Sequence, residues 1–221
     1  MSHKFLSFCA GLVLCVSAAV LAVCGIILNE GLFARALRTQ VAAQGAVSET
    51  DADAFAEATI GYLAGRSDAW TPQVLLEGAP LSVTPAFSAH MVTVKRGVQT
   101  SLRVGAAGLI LALALLLLGR RGLSAHRCMA GSLTPLVLLA LALAWAGIDF
   151  QSFWTCLHYA FIPDGVFSDA ETVNGVMRLF PLELFGEYLL PGALALGCAA
   201  LAALVLPPLL MKIFGARKRS R

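Results

Sequence analysis

Val98-Gln99-Thr100-Ser101-Leu102-Arg103-Val104-Gly105-Ala106-Ala107-Gly108-Leu109-Ile110-Leu111-Ala112-Leu113-Ala114-Leu115-Leu116-Leu117-Leu118 decides the fold of this chain. Coiled as a helix that rises about 1.5 Å per residue, it reaches roughly 30 Å, the thickness of a bilayer's hydrocarbon core. Arg103 interrupts it only near its start, where a long guanidinium stem can reach back toward the headgroups. Gly119-Arg120-Arg121 closes it with basic charge.

Working outward, three more apolar stretches have comparable length: Phe5 to Leu28, Met129 to Ile148 and Tyr188 to Met211. Apolar residues make up 58% of the chain and charged ones 13%. Soluble domains usually carry about 45–50% and about 25%, so the composition excludes an ordinary soluble fold. The expectation is an all-α integral membrane protein with four transmembrane helices, spanning about 5–28, 98–118, 129–148 and 188–211. No repeat, low-complexity tract or linker divides it, and residues 1–221 read as one membrane domain with two outer segments, 29–97 and 149–187.

Basic residues in short flanks favour the cytoplasm. Lys4 precedes the first span, Arg120, Arg121 and Arg127 separate the second from the third, and Lys212, Arg217, Lys218, Arg219 and Arg221 follow the fourth. Both termini therefore read as cytoplasmic, and the two outer segments as extracytoplasmic. Leu21-Ala22-Val23-Cys24 looks like a lipoprotein processing site, but valine is large for the position before the cysteine and the apolar run is long for a signal core. A retained first span is the expectation. The net charge of +3 lies mainly in the C-terminal tail, where cations beside a membrane set topology and touch headgroups, so nucleic acid is not an expected partner.

Of six cysteines, Cys156 alone falls in an outer segment, which leaves no intrachain disulfide framework there. Ser48, with Asp51 three residues on, marks a helix start, and Phe55, Thr59, Tyr62 and Leu63 follow at helical spacing, predicting a short amphipathic helix on the membrane or the bundle. Thr84-Pro85 marks another start, with Phe87, Met91, Val94 and Val98 spaced for a helix that runs straight into the second span. Phe150, Trp154, Leu157 and Phe161 extend the third span until Pro163-Asp164-Gly165 turns the chain. If both helices were straight, His90 would stand roughly 44 Å above Gly119 and His158 roughly 46 Å above Arg127, one level for two imidazoles.

Imidazole exchanges protons near neutral pH, so His158 and His90 are the candidate acid–base pair; as lone interfacial histidines they would be caps or hydrogen-bond donors instead. A catalytic zinc usually takes three protein ligands, and the spacing of Asp164, Asp169 and Glu183 carries no metal signature, so no metal is expected. Cys156 lies two residues from His158, a separation that diverges on a helix and disfavours a Cys–His nucleophile. Arg178 and Glu183 flank Leu179-Phe180-Pro181 as candidates for binding substrate, or else as a surface ion pair. Phe150, Phe153, Trp154, Tyr159 and Phe161 suit an interfacial aromatic belt.

An aromatic helix ending in Leu157-His158, then Phe161, Pro163 and Asp164, then Arg178-Leu179-Phe180-Pro181 and Phe185 before a last span, resembles the bacterial lipoprotein intramolecular transacylases. Phe87-Ser88-Ala89-His90-Met91-Val92-Thr93-Val94-Lys95 is similar to that family's other histidine motif, with Thr93 where an acid is expected. The resemblance covers the whole chain. It implies a multi-pass protein of the bacterial cell membrane with its active site on the extracytoplasmic side. The implied reaction moves the sn-2 acyl chain of an S-diacylglyceryl-cysteine lipoprotein to its own N-terminal amine, giving the lyso-form, and needs no cofactor. The partners implied are that lipoprotein and membrane lipids, with His158 and His90 catalytic and Arg178, Asp164 and Glu183 binding substrate. A non-enzymatic membrane protein that binds lipid or a partner through its outer segments is the alternative.

Overall fold

The computed structural model describes residues 3–118, 122–162 and 170–216. Its long helices are α1 (His3–Ile27), α4 (Pro85–Leu118), α5 (Ala125–Ile148) and α9 (Leu189–Ala216), each long and apolar enough to cross a membrane. Large side chains such as Val104, Ile110, Leu138 and Leu190 remain exposed on them, as lipid-facing residues do. Between them lie the short helices α2 (Glu30–Gln40), α3 (Glu49–Leu63), α6 (Phe150–Phe161), α7 (Ala170–Asn174) and α8 (Leu182–Gly186). The protein is thus an all-α membrane protein with four spanning helices and short helices in the two intervening segments.

The chain forms two compact units, one of Met1–Cys24, Ser101–Ala144 and Gly192–Arg221, the other of Gly25–Thr100 and Trp145–Pro191. In the first, a Cβ on Gly11 would stand 1.9 Å from the Cys128 carbonyl oxygen, and one on Gly131 would stand 2.0 Å from that of Phe8. Only glycine lets α1 and α5 approach so closely. Such contacts replace the hydrophobic driving force that lipid cannot supply between helices. Ser132 reaches across with its hydroxyl, which lies 3.0 Å from the Gly11 carbonyl oxygen and 3.2 Å from that of Ala203. Ala10, Leu14, Cys15, Ala112, Leu116 and Cys128 fill the core.

The second unit opens with α2, whose first turn is capped by Asn29 accepting from the Leu32 amide at 2.9 Å. Phe33, Ala36 and Leu37 on this helix bury against α3. As the sequence predicts, Ser48 caps α3, its hydroxyl accepting from the Asp51 amide at 3.0 Å, and Phe55, Thr59, Tyr62 and Leu63 all turn inward. Two-residue strands, Leu75–Leu76 and Ala79–Pro80, form a hairpin closed by Glu77 (φ 51) and Gly78 (φ 81). Positive φ at both loop positions matches the twist of a tight hairpin, at a steric cost for glutamate.

Thr84 caps α4 as expected, accepting from the Phe87 amide at 3.3 Å, and the helix continues unbroken to Leu118. The straight continuation expected beyond the third span does not form. Residue Asp149 (φ −144, ψ 85) separates α5 from α6, because its carboxylate accepts from the Ser152 amide at 3.0 Å and starts a new helix there. Height along one straight helix therefore no longer ranks His158 against His90. The predicted turn at Pro163-Asp164-Gly165 lies outside the described residues.

Candidate active site

His90 occupies the second turn of α4, with its ring 5.5 Å from that of Phe87 and its Nδ1 shielded from solvent. His158 occupies the last turn of α6, half-buried, with Nδ1 3.2 Å from the Trp154 carbonyl oxygen. Burial holds this imidazole below its ordinary value of 6.5, against the opposite pull of the bond to that carbonyl. When Nδ1 carries the proton and donates it there, Nε2 keeps its lone pair. The residue is then a neutral base at physiological pH.

Both histidines belong to the second unit, and a continuous series of ring contacts joins them. From His90 it passes to Phe87, then 5.8 Å to Phe180, 6.3 Å to Phe185, 4.2 Å to Trp154 and 4.5 Å to His158. Phe180 is the hub, since its ring also meets Phe33 at 6.1 Å and Phe55 at 5.4 Å. The two imidazoles are the ends of one aromatic series whose middle, Phe87 and Phe180, packs in the core of this unit. Cavities of about 380 and 570 Å³ elsewhere in this unit are lined by other residues, Asp51 with Pro72 and Leu81 in one, Glu30 with Glu57 and Arg66 in the other.

Arg178 sits in a short 3-10 turn, Val176–Leu179, and donates to Glu77 at 2.5 Å rather than to Glu183. The bond and the charge of Arg178 hold the Glu77 carboxyl below its usual range. Glu183 stands exposed in the first turn of α8. Asp164 lies outside the described residues. Thr93 returns its hydroxyl to the Ala89 carbonyl of its own helix at 3.4 Å, and Cys156 is exposed on α6.

Sequence reading missed three supports of this site. Asn29-Glu30 followed by Leu32, Phe33, Ala36 and Leu37 is a capped amphipathic helix in plain view, hidden by the end of the first span. Glu77-Gly78 between Leu75-Leu76 and Ala79-Pro80 is a weak hairpin signal because asparagine or aspartate usually precedes the glycine. The Thr84–Thr172 hydroxyl pair, 2.8 Å apart and buried, has no local signature at all.

A solved structure of the membrane integral lipoprotein intramolecular transacylase Lit from Bacillus cereus is similar to this chain, with a TM-score of 0.65 at 16% identity over 99% of this chain and 98% of that one. The chain has the lipoprotein intramolecular transacylase fold. Structures of the Bacillus cereus protein with a histidine mutated to arginine or to alanine are also similar, at TM-scores of 0.61 and 0.56, each 16% identical and covering 99% of this chain and 94% and 96% of theirs. No family model matches the sequence. No curated protein matches it either. On the transacylase fold this chain therefore keeps its own side chains at most positions. Those around His158 and His90 have to be argued from their own chemistry.

Proposed function

We propose that this chain is an acyltransferase that moves the sn-2 acyl chain of an S-diacylglyceryl-cysteine lipoprotein to the lipoprotein's own N-terminal amine. The observation that carries the reading is the neutral, half-buried His158, with Nδ1 against the Trp154 carbonyl and Nε2 left to act as a base, within a transacylase fold.

An N-terminal amine has a reference pKa of about 7.7–8.0 and attacks only when unprotonated. Its nitrogen adds to the sn-2 ester carbonyl, a C–N bond forms, and His158 takes the proton that nitrogen sheds. His90 donates to the oxyanion of the tetrahedral intermediate. The bond from carbonyl carbon to the sn-2 oxygen then breaks, and the His158 imidazolium returns its proton to that oxygen. The balance closes with an N-acyl chain, an S-monoacylglyceryl group and the enzyme as it began.

Because amine and ester share one molecule, holding the headgroup in a reactive geometry supplies much of the rate. Arg178, Asp164 and Glu183 are the positioning residues in this reading, with Arg178 held for the task by Glu77. In this reading the substrate's diacylglyceryl group stays in the extracytoplasmic leaflet, the side that the basic flanks favour for the two outer segments.

A crossover experiment tests the reading. Lipoproteins with deuterated acyl chains and with ordinary ones are mixed in vesicles containing the full chain, and the N-terminal lipopeptides are resolved by mass. Each N-acyl chain should carry the isotope of its own glyceryl group. Mixed products, or no N-acylation, would remove intramolecular transfer.

A further inference from the structure

Trp154 meets three rings: Phe150 on its own helix at 5.9 Å, Phe185 and His158. Its indole stacks on Phe185 at 4.2 Å with 26° between the planes, and meets the His158 imidazole at 4.5 Å and 56°. The backbone carbonyl of the same residue is the group that His158 Nδ1 faces at 3.2 Å. Trp154 and His158 are four residues apart, so their side chains lie one above the other on a single helix face. α6 has no fully buried side chain of its own to fix its rotation.

Phe185 supplies what α6 lacks. It stacks on Phe180 at 6.3 Å and 10°, and Phe180 lies among Phe33, Phe55 and Phe87. Its helix, α8, is anchored by Leu184, which is fully buried. A rigid core is therefore continued outward by one phenylalanine onto one tryptophan, and the tryptophan walls one side of the imidazole. Without the Phe185 ring the indole keeps only the contact with Phe150 of its own helix and the one with His158, gains torsional freedom relative to the core, and admits water to His158.

We propose that Phe185 is a positioning residue for His158, acting through Trp154. Its activity consequence rests on the acyl-transfer reading; the geometric claim does not. The charged groups of the packed elements do not compete for the role. Glu183 on α8 and Glu187 just after it are exposed, Glu187 accepting from Gln40, and Arg178 is engaged by Glu77. On α6 itself, Asp149 caps the first turn, while Cys156 and Tyr159 are exposed. Asp164 and Asp169 lie outside the described residues.

The test is side-chain NMR of the isotope-labelled full chain in detergent, with the His158 signal identified by its loss in His158→Gln. In Phe185→Leu the His158 titration midpoint should rise toward 6.5, while kcat falls by up to about 100-fold with KM little changed. Phe185→Tyr, which keeps the ring, should restore both. If Phe185→Leu does not accumulate, Phe185→Met asks the same question. An unmoved midpoint in the ring-less variant, or an equal shift in Phe185→Tyr, overturns the proposal. A shifted midpoint in a chain with no transacylase activity keeps Phe185 as the positioning residue and removes the acyl-transfer reading alone.

Discussion

The Nδ1 atom of His158 lies 3.2 Å from the carbonyl oxygen of Trp154, one helical turn earlier on α6. This arrangement selects the tautomer that leaves Nε2 as the base, and burial favours the neutral ring. Because the neutral form is the active one and its pKa is lowered, base function is lost only as pH falls below the ordinary 6.5.

The pH dependence follows directly. kcat/KM should rise with unit slope up to the range of the substrate amine, about 7.7–8.0, and the log plot should steepen to a slope of about two below 6.5, where His158 also protonates. A pH series with a synthetic diacylglyceryl lipopeptide reads both limbs. In His90→Ala the His158 break should persist at reduced rate; a steepening from slope one to slope two that begins above 6.5 in the wild type would contradict the environment described for His158.

Thr84 caps α4 and shares a buried 2.8 Å hydroxyl contact with Thr172. Thr84→Ala removes a cap worth about 1 kcal/mol and a partner of a buried hydroxyl, for a total loss of roughly 1–3 kcal/mol. Thr84→Ser should recover most of it. Thermal unfolding in detergent measures the difference.

Gly131 admits no side chain, since its Cβ would meet the Phe8 carbonyl at 2.0 Å, whereas nothing lies within 4 Å of a Cβ on Gly147 in the same helix. Gly131→Leu should therefore cost at least about 1–3 kcal/mol and lower the amount of folded protein. Gly147→Ala should be neutral or stabilising by about 0.5–1 kcal/mol. Membrane abundance and melting temperature compare the two.

In a version with its native cysteines replaced, single cysteines placed near Gly65 should react with a membrane-impermeant reagent in intact cells, and those near Leu123 should not. The expectation rests on the basic flanks of the spans. Outside labelling near Leu123 would invert the topology and with it the side on which the reaction takes place.

Much of this was legible in the chain. The four spans follow from length and composition, and the starts at Ser48 and Thr84 follow from local hydrogen-bond chemistry that any helix obeys. What stayed hidden is of two kinds. Asp149 ends one helical pattern and begins another without breaking the apolar period, so the spacing of Phe150, Trp154 and Leu157 reads as a single helix. Arg178 takes a partner 101 positions away, on a hairpin, although Glu183 is near in sequence. Long-range pairing of this sort depends on packing, which no local period encodes. The histidines were read from chemistry and motif; the aromatic series between them, with Phe180 as its hub, required the fold.

The central claim is that His158 drives N-acylation of a lipoprotein by its own sn-2 chain. Tandem mass spectrometry of a reporter's N-terminal lipopeptide, in a host lacking its own N-acylating enzyme, tests it most directly. With the wild-type chain the peptide should carry N-acyl and S-monoacylglyceryl groups; with His158→Ala at equal membrane abundance it should remain diacylglyceryl with a free amine, and Cys156→Ala should behave as wild type. Only the diacylglyceryl form with abundant wild-type chain, or undiminished product from His158→Ala, would contradict the account.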